Sequence, residues 1–160
     1  MQVKFAGNPV KLKGSTIEKG QVAPDFDAVT NSLEGFKLSD VEGKKIILAV
    51  PSLYTPVCDM EVRKFNAEAA QLRDVTVITI SMDLPFAQAR WCGAAGVDNV
   101  ITVSDFKDRD FAEKYGVYME ANGLLARAVF VLDADNKVLH VEYVSEVTAE
   151  PNYNAALAAL

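Results

Sequence analysis

The chain has 160 residues, half of them hydrophobic and 24% charged, with a formal net charge of −6 and a pI near 4.8. A chain of this length buries a core without staples and reads as one domain spanning 1–160. Its acidic balance argues against nucleic acid or an anionic membrane as partner, and no apolar run approaches the roughly 20 residues that cross a bilayer.

Taken in chain order, Val3-Lys4-Phe5 and Val10-Lys11-Leu12 alternate around Gly7-Asn8-Pro9 and predict an N-terminal β-hairpin. Residues 14–25 are polar with Gly and Pro and read as a loop, followed by a short strand from Phe26 to Val29. Lys45 to Val50 is the first strong core strand. From Val57 to Leu72, the apolar positions Val62, Phe65, Ala69 and Leu72 recur at helical spacing. Val75 to Ile80 is β-branched and predicts a strand. Pro85 opens a second helix through about Ala94, which Gly93 and Gly96 are expected to end. Val100 to Val103 predicts a strand and Asp108 to Tyr115 a short helix. Ala126 to Leu132 and Lys137 to Val144 predict strands joined by a turn at 133–136. A last helix follows from Glu150-Pro151 to Leu160, with Thr148 as its candidate cap. Strands alternating with helices and closing in an antiparallel pair predict an α/β fold with a mixed central sheet flanked by helices. A strand feeding a cysteine-bearing helix, with a late hairpin and final helix, resembles the thioredoxin-like arrangement, an analogy at the level of fold that does not by itself give function.

The N-terminal stretch Met1 to Phe5 lacks the apolar core of a signal peptide, so a cytoplasmic location is expected. Two cysteines, Cys58 and Cys92, are too few for a disulfide scaffold. They fit neither Cys-x-x-Cys nor a four-ligand zinc site. Cys58 sits where the helix after the Ile46 to Val50 strand should begin, so amide N–H groups and the positive end of the dipole should converge on it. A free thiol of pKa ~8.5 is only about 3% ionised at pH 7, and lowering that value to ~6 takes about 3.4 kcal/mol. A helix N-terminus supplies about 0.3–2 kcal/mol, so a cation or strong donor must help.

Arg127, Arg63 and Lys64 are the candidate cations. Arg127 interrupts the apolar run Leu124 to Leu132, and a charge at the mouth of a buried strand needs a partner. Arg63 and Lys64 read as a solvated helix face. Thr55 either caps the helix or presents its hydroxyl to the thiol. Cys92 reads as a buried inert thiol, half of a permanent disulfide, or a resolving thiol for oxidised Cys58. His140 reads as an outward strand residue, with a Cys58–His140 dyad as the alternative. Asp83, Asp105, Asp108 and Asp110 read as caps and solvated surface. No phosphate-binding loop or metal cluster is present in the sequence.

Pro51, Thr55 and Cys58 together match the Pro-x-x-x-Thr-x-x-Cys motif of peroxiredoxins, and Ala23-Pro24-Asp25-Phe26 resembles the segment preceding it in that family. Val62 to Asn66, Asp83 to Gln88, Trp91-Cys92-Gly93, Ala126 to Val129 and Glu150 to Tyr153 resemble the bacterial thiol peroxidase branch, an atypical two-cysteine peroxiredoxin. The resemblance covers essentially the whole chain. It implies that Cys58 is the peroxidatic and Cys92 the resolving cysteine, and that Thr55 and Arg127 activate Cys58 and the bound hydroperoxide, with Pro51 lining the same site. It further implies an intramolecular Cys58–Cys92 disulfide reduced by thioredoxin, a homodimer, and no metal or organic cofactor. The chain departs from the family at Tyr54, where thiol peroxidases usually carry Asp. Another class of function, a redox-switched binding protein with low peroxidase turnover, would use the same two cysteines.

Overall fold

The computed structural model describes residues 1–96 and 99–160. Its strands are β1 (Gln2–Phe5), β2 (Asn8–Lys13), β3 (Asp27–Thr30), β4 (Gly35–Lys37), β5 (Lys44–Ala49), β6 (Val75–Ser81), β7 (Val100–Ser104), β8 (Tyr118–Met119), β9 (Leu124–Leu125), β10 (Ala128–Leu132) and β11 (Val138–Tyr143). Its α-helices are α1 (Pro56–Ala69), α2 (Pro85–Ala95), α3 (Asp110–Tyr115) and α4 (Tyr153–Ala158). The main sheet runs β11-β10-β5-β6-β7-β3-β4. β5, β6 and β7 are parallel, while β10, β11 and β3 join antiparallel, which gives the mixed sheet. The hairpin β1-β2 forms a second small sheet with β8 and β9.

The two faces of the sheet carry different cores. In β5, Ile46, Leu48 and the following Val50 point to one side and Ile47 and Ala49 to the other, and all are fully buried. A strand covered on both faces reads as a continuous apolar run, which is why this one stands out in the sequence. On the first side Val62, Phe65 and Ala69 of α1 pack with Val129, Val131, Trp91, Tyr153 and Ala156. On the second, Phe111 stacks on Tyr115 with ring centroids 4.4 Å apart, and Phe26 and Phe130 meet both rings edge-to-face at 4.8–6.3 Å.

Several sequence expectations need correction. Gly93 lies inside α2, and Gly96 alone ends it, at φ +65° with its N–H on the Cys92 carbonyl. The cap of α4 is Asn152, whose side chain accepts from the Ala155 N–H, rather than Thr148. Ala126 and Arg127 precede β10 rather than belonging to it. Asp105 does cap the start of α3, its carboxylate accepting the Phe111 and Ala112 N–H groups at 3.1 and 2.9 Å, but it is buried rather than solvated. His140, opposite Val131 in the sheet, is half-buried rather than fully exposed, its Nε2 shut off from solvent. Strands β4, β8 and β9, of two or three residues each, lack the length in which a period can show.

Candidate active site

The site lies at the C-terminal end of β5, the end of parallel strands where open α/β sheets place their ligand crevices. The chain leaves β5 through buried Val50 and Pro51, turns through Ser52 to Thr55, and enters α1 with Pro56 at its first position. Proline suits that position because its missing N–H would have no helical partner there. Cys58 therefore falls in the first turn, and it is fully buried.

Asp83 holds the turn in place. Its carboxylate accepts from Ser52 Oγ at 2.7 Å, from the Leu53 N–H at 2.8 Å and from Ser81 Oγ at 2.9 Å. Thr55 occupies the N-cap position, but its hydroxyl donates to the Ser52 carbonyl at 2.9 Å instead of capping a helix amide. The hydroxyl thus stays in the loop, one turn from the cysteine.

Ala128 of β10 pairs with Ala49 of β5, so Arg127 arrives beside the end of β5 where α1 begins. Its side chain is buried, and each of its three nitrogens donates a hydrogen bond. Nη2 donates to Cys58 Sγ at 3.1 Å, Nε donates to the Val147 carbonyl at 2.9 Å, and Nη1 pairs with the Glu61 carboxylate. Burial alone would lower the Arg127 pKa, but the charges of Glu61 and Cys58 hold it above its ordinary value. A permanent cation is thus fixed against the sulfur.

Glu61, which the sequence reading passed over, completes this arrangement. Burial pushes its carboxyl up to about 7, against the opposing charge and hydrogen bond of Arg127, with Glu142 and Glu150 adding to the rise. Its Oε1 has no hydrogen-bond partner among the described residues. Between pH about 4.5 and 7, native Glu61 keeps a proton that the unfolded chain has lost, so this group makes stability fall as pH rises through that window. Glu61→Gln removes the titration. In urea denaturation, the stability of wild type relative to Glu61→Gln should be lower at pH 8 than at pH 5. An identical difference at both pH values would contradict a buried, titrating Glu61.

Cys92 is half-buried on α2, and its sulfur lies 3.3 Å from Thr102 Oγ1. The Thr102 hydroxyl donates to Asn31 Oδ1 at 3.1 Å, so the contact to sulfur is satisfied by the thiol proton of Cys92. Both cysteines are free, each on its own helix and with its own partner. Two further ties join those helices: Trp91 Nε1 donates to Asp59 Oδ1 at 2.9 Å, and Arg63 Nη1 to the Ala95 carbonyl at 3.3 Å.

The other candidate cations are occupied elsewhere. Arg63 pairs with Asp59 and lies 5.8 Å from the Trp91 ring centroid, and Lys64 Nζ lies 4.1 Å from that of Tyr153. The partner on Cys58 Sγ is Arg127, not His140. Among the described residues, no helix is long and apolar enough to cross a membrane, and no group of three or more His, Cys, Asp or Glu could hold a metal ion.

Residues 18–157 match the Redoxin family. The chain is 56% identical to the thiol peroxidase of Staphylococcus aureus (strain MRSA252), covering 99% of this chain and 96% of the relative. It is 54% identical to the thiol peroxidase of Bacillus subtilis (strain 168), covering 99% and 95% respectively. Among solved structures, the peroxiredoxin-like protein from Aquifex aeolicus superposes with a TM-score of 0.89 at 42% identity, covering 99% of this chain and 97% of that one. With a cysteine in the first turn of its helix, a buried arginine on its sulfur and whole-length identity above one half, the chain belongs to the bacterial thiol peroxidases of the Redoxin family, enzymes with a thioredoxin-like fold.

Proposed function

We propose that the chain acts as one domain, residues 1–160, that reduces hydrogen peroxide and organic hydroperoxides with Cys58 as the peroxidatic and Cys92 as the resolving cysteine. The observation that carries this reading is the Arg127 guanidinium donating to the buried Cys58 sulfur at 3.1 Å. A cation on the sulfur and a helix N-terminus beneath it both favour negative charge there. The Cys58 thiolate attacks the terminal peroxide oxygen. The sulfur–oxygen bond forms as the oxygen–oxygen bond breaks, and the leaving alkoxide takes a proton to become alcohol (water, from hydrogen peroxide). Arg127 stabilises charge as it moves from sulfur to the leaving oxygen, and the Thr55 hydroxyl exchanges its hydrogen bond to the Ser52 carbonyl for one to the second oxygen. Pro51, buried at the end of β5, lines the hydroperoxide site.

Cys58 is left as a sulfenic acid. The Cys92 thiol displaces its hydroxyl, closing a Cys58–Cys92 disulfide within the chain and releasing water. Both sulfurs must first leave their partners, so the first turn of α1 and the segment around Cys92 rearrange. Thioredoxin then reduces the disulfide. The enzyme works in the cytoplasm as a homodimer, without a metal or organic cofactor.

A coupled assay with thioredoxin, thioredoxin reductase and hydrogen peroxide tests the reading. Wild type should consume peroxide continuously, and Cys58→Ser should consume none above background. Undiminished consumption by Cys58→Ser would sink the proposal.

A further inference from the structure

Tyr54 stands in the turn that feeds α1, and its side chain is 56% exposed. A tyrosine at that exposure can leave its hydroxyl in water. Here the hydroxyl donates to the Ala87 carbonyl of α2 at 3.0 Å. The Tyr54 N–H also donates to Ser52 Oγ at 3.2 Å, and Ser52 Oγ is itself bound to Asp83 at the entrance of α2. Ala87 lies on the same helix as Cys92, so the ring spans from the Cys58 turn to the Cys92 helix. The cleft it crosses is also bordered by Thr55, Asp59, Trp91 and Ala95.

We infer that Tyr54 is a positioning residue that latches the Cys58 turn to α2 and thereby sets the fate of oxidised Cys58. The inference rests on the roles proposed above for Cys58 and Cys92. A Cys58 sulfenic acid has two outcomes. In one, Cys92 sulfur attacks Cys58 sulfur, the S–S bond forms, the S–O bond breaks, and the thiol proton leaves with the hydroxyl as water. In the other, Cys58 sulfur attacks a second hydroperoxide, gaining an oxygen as the O–O bond breaks and alcohol or water leaves, which gives the sulfinic acid. The first outcome requires Cys58 to leave Arg127 and Cys92 to leave Thr102, so the Cys58 turn and the Cys92 helix must shift from the packed positions that the Tyr54–Ala87 hydrogen bond joins. The second proceeds in the packed arrangement. A hydrogen bond present only in the packed arrangement slows the first outcome and leaves the second untouched.

Tyr54→Phe keeps the ring and removes the hydroxyl. Rapid-quench mass spectrometry of the full-length chain with hydrogen peroxide separates the steps. Oxidation of Cys58 to the sulfenic acid should proceed at the wild-type rate. Disulfide closure should speed up by about two- to five-fold, the effect of one hydrogen bond at a half-exposed site. The peroxide concentration that converts half of Cys58 to sulfinic acid should rise by the same factor. Amide exchange over residues 52–58 of the reduced chain should quicken in parallel. Unchanged closure and an unchanged half-converting dose would overturn the latch, as would a first step slowed together with closure. A wild-type chain whose Cys58 is not oxidised at all would instead overturn the peroxidase roles, and the latch with them.

Discussion

Arg127→Met should slow the oxidation of Cys58 by hydrogen peroxide by about 10²–10³-fold, the cost of losing one preorganised donor to a developing charge. It should also lower stability by about 3–5 kcal/mol, because it leaves Glu61 buried without its counter-ion. The two effects have separable causes. Methionine fills much of the space of the arginine stem but donates no hydrogen bond to Cys58 Sγ, to Glu61 or to the Val147 carbonyl. At pH 5, where native Glu61 holds a proton, the stability loss should shrink while the rate defect persists. Replacing both members of the pair (Arg127→Met with Glu61→Leu) removes the orphaned carboxylate. The double variant should regain stability without regaining rate. Trp91, the one tryptophan in the chain, adjoins Cys92 and bonds to Asp59 of α1, so its fluorescence reports oxidation in stopped flow. An Arg127→Met chain oxidised at the wild-type rate would remove Arg127 from the mechanism.

Cys92→Ser should separate the first turnover from all that follow. Serine cannot form a disulfide, but it preserves a hydroxyl able to donate to Thr102 Oγ1, so α2 and the Cys58 site should remain as they are. The first equivalent of peroxide should be consumed at the wild-type rate, leaving Cys58 as a sulfenic acid. Thioredoxin-coupled turnover should then fall to background, and continued peroxide should drive Cys58 to the sulfinic acid. Sustained thioredoxin-linked consumption by Cys92→Ser would show that Cys92 is not needed for recycling. It would point to direct attack by thioredoxin on the sulfenic acid.

Much of this site is legible in the sequence because its signals are local. The apolar run of β5 ends in Val50-Pro51, and α1 shows its buried stripe at Val62, Phe65 and Ala69, so a cysteine between them had to fall at a helix start. Arg127 is legible as a charge among apolar neighbours, although its three partners, Cys58, Glu61 and Val147, are not. Glu61 is hard to single out because a glutamate on an amphipathic helix reads as solvated. The signal was its spacing: it lies three residues after Cys58 and four before Phe65, on the same buried face.

Asp83 shows the complementary limit. A carboxylate just before a helix reads as a cap, and nothing local reveals that it reaches back to Ser52 and Leu53 to fix the turn before Cys58. The Tyr54 contact with Ala87 has the same character, since it depends on how α1 and α2 lie side by side. Gly93 misled as a helix terminator because an exposed glycine inside a helix costs only about 1 kcal/mol, which the packing around Trp91 offsets. Such residues act across the sequence, and only the folded register of strands and helices brings them together.

The most direct test of the mechanism is peptide mapping, under non-reducing conditions, of wild-type chain treated with one equivalent of hydrogen peroxide. The predicted result is stoichiometric loss of both thiols and a single linked peptide pair containing Cys58 and Cys92 of the same chain. Recovery of Cys58 as a free thiol after the peroxide is consumed, or a link between chains in place of one within a chain, would contradict it.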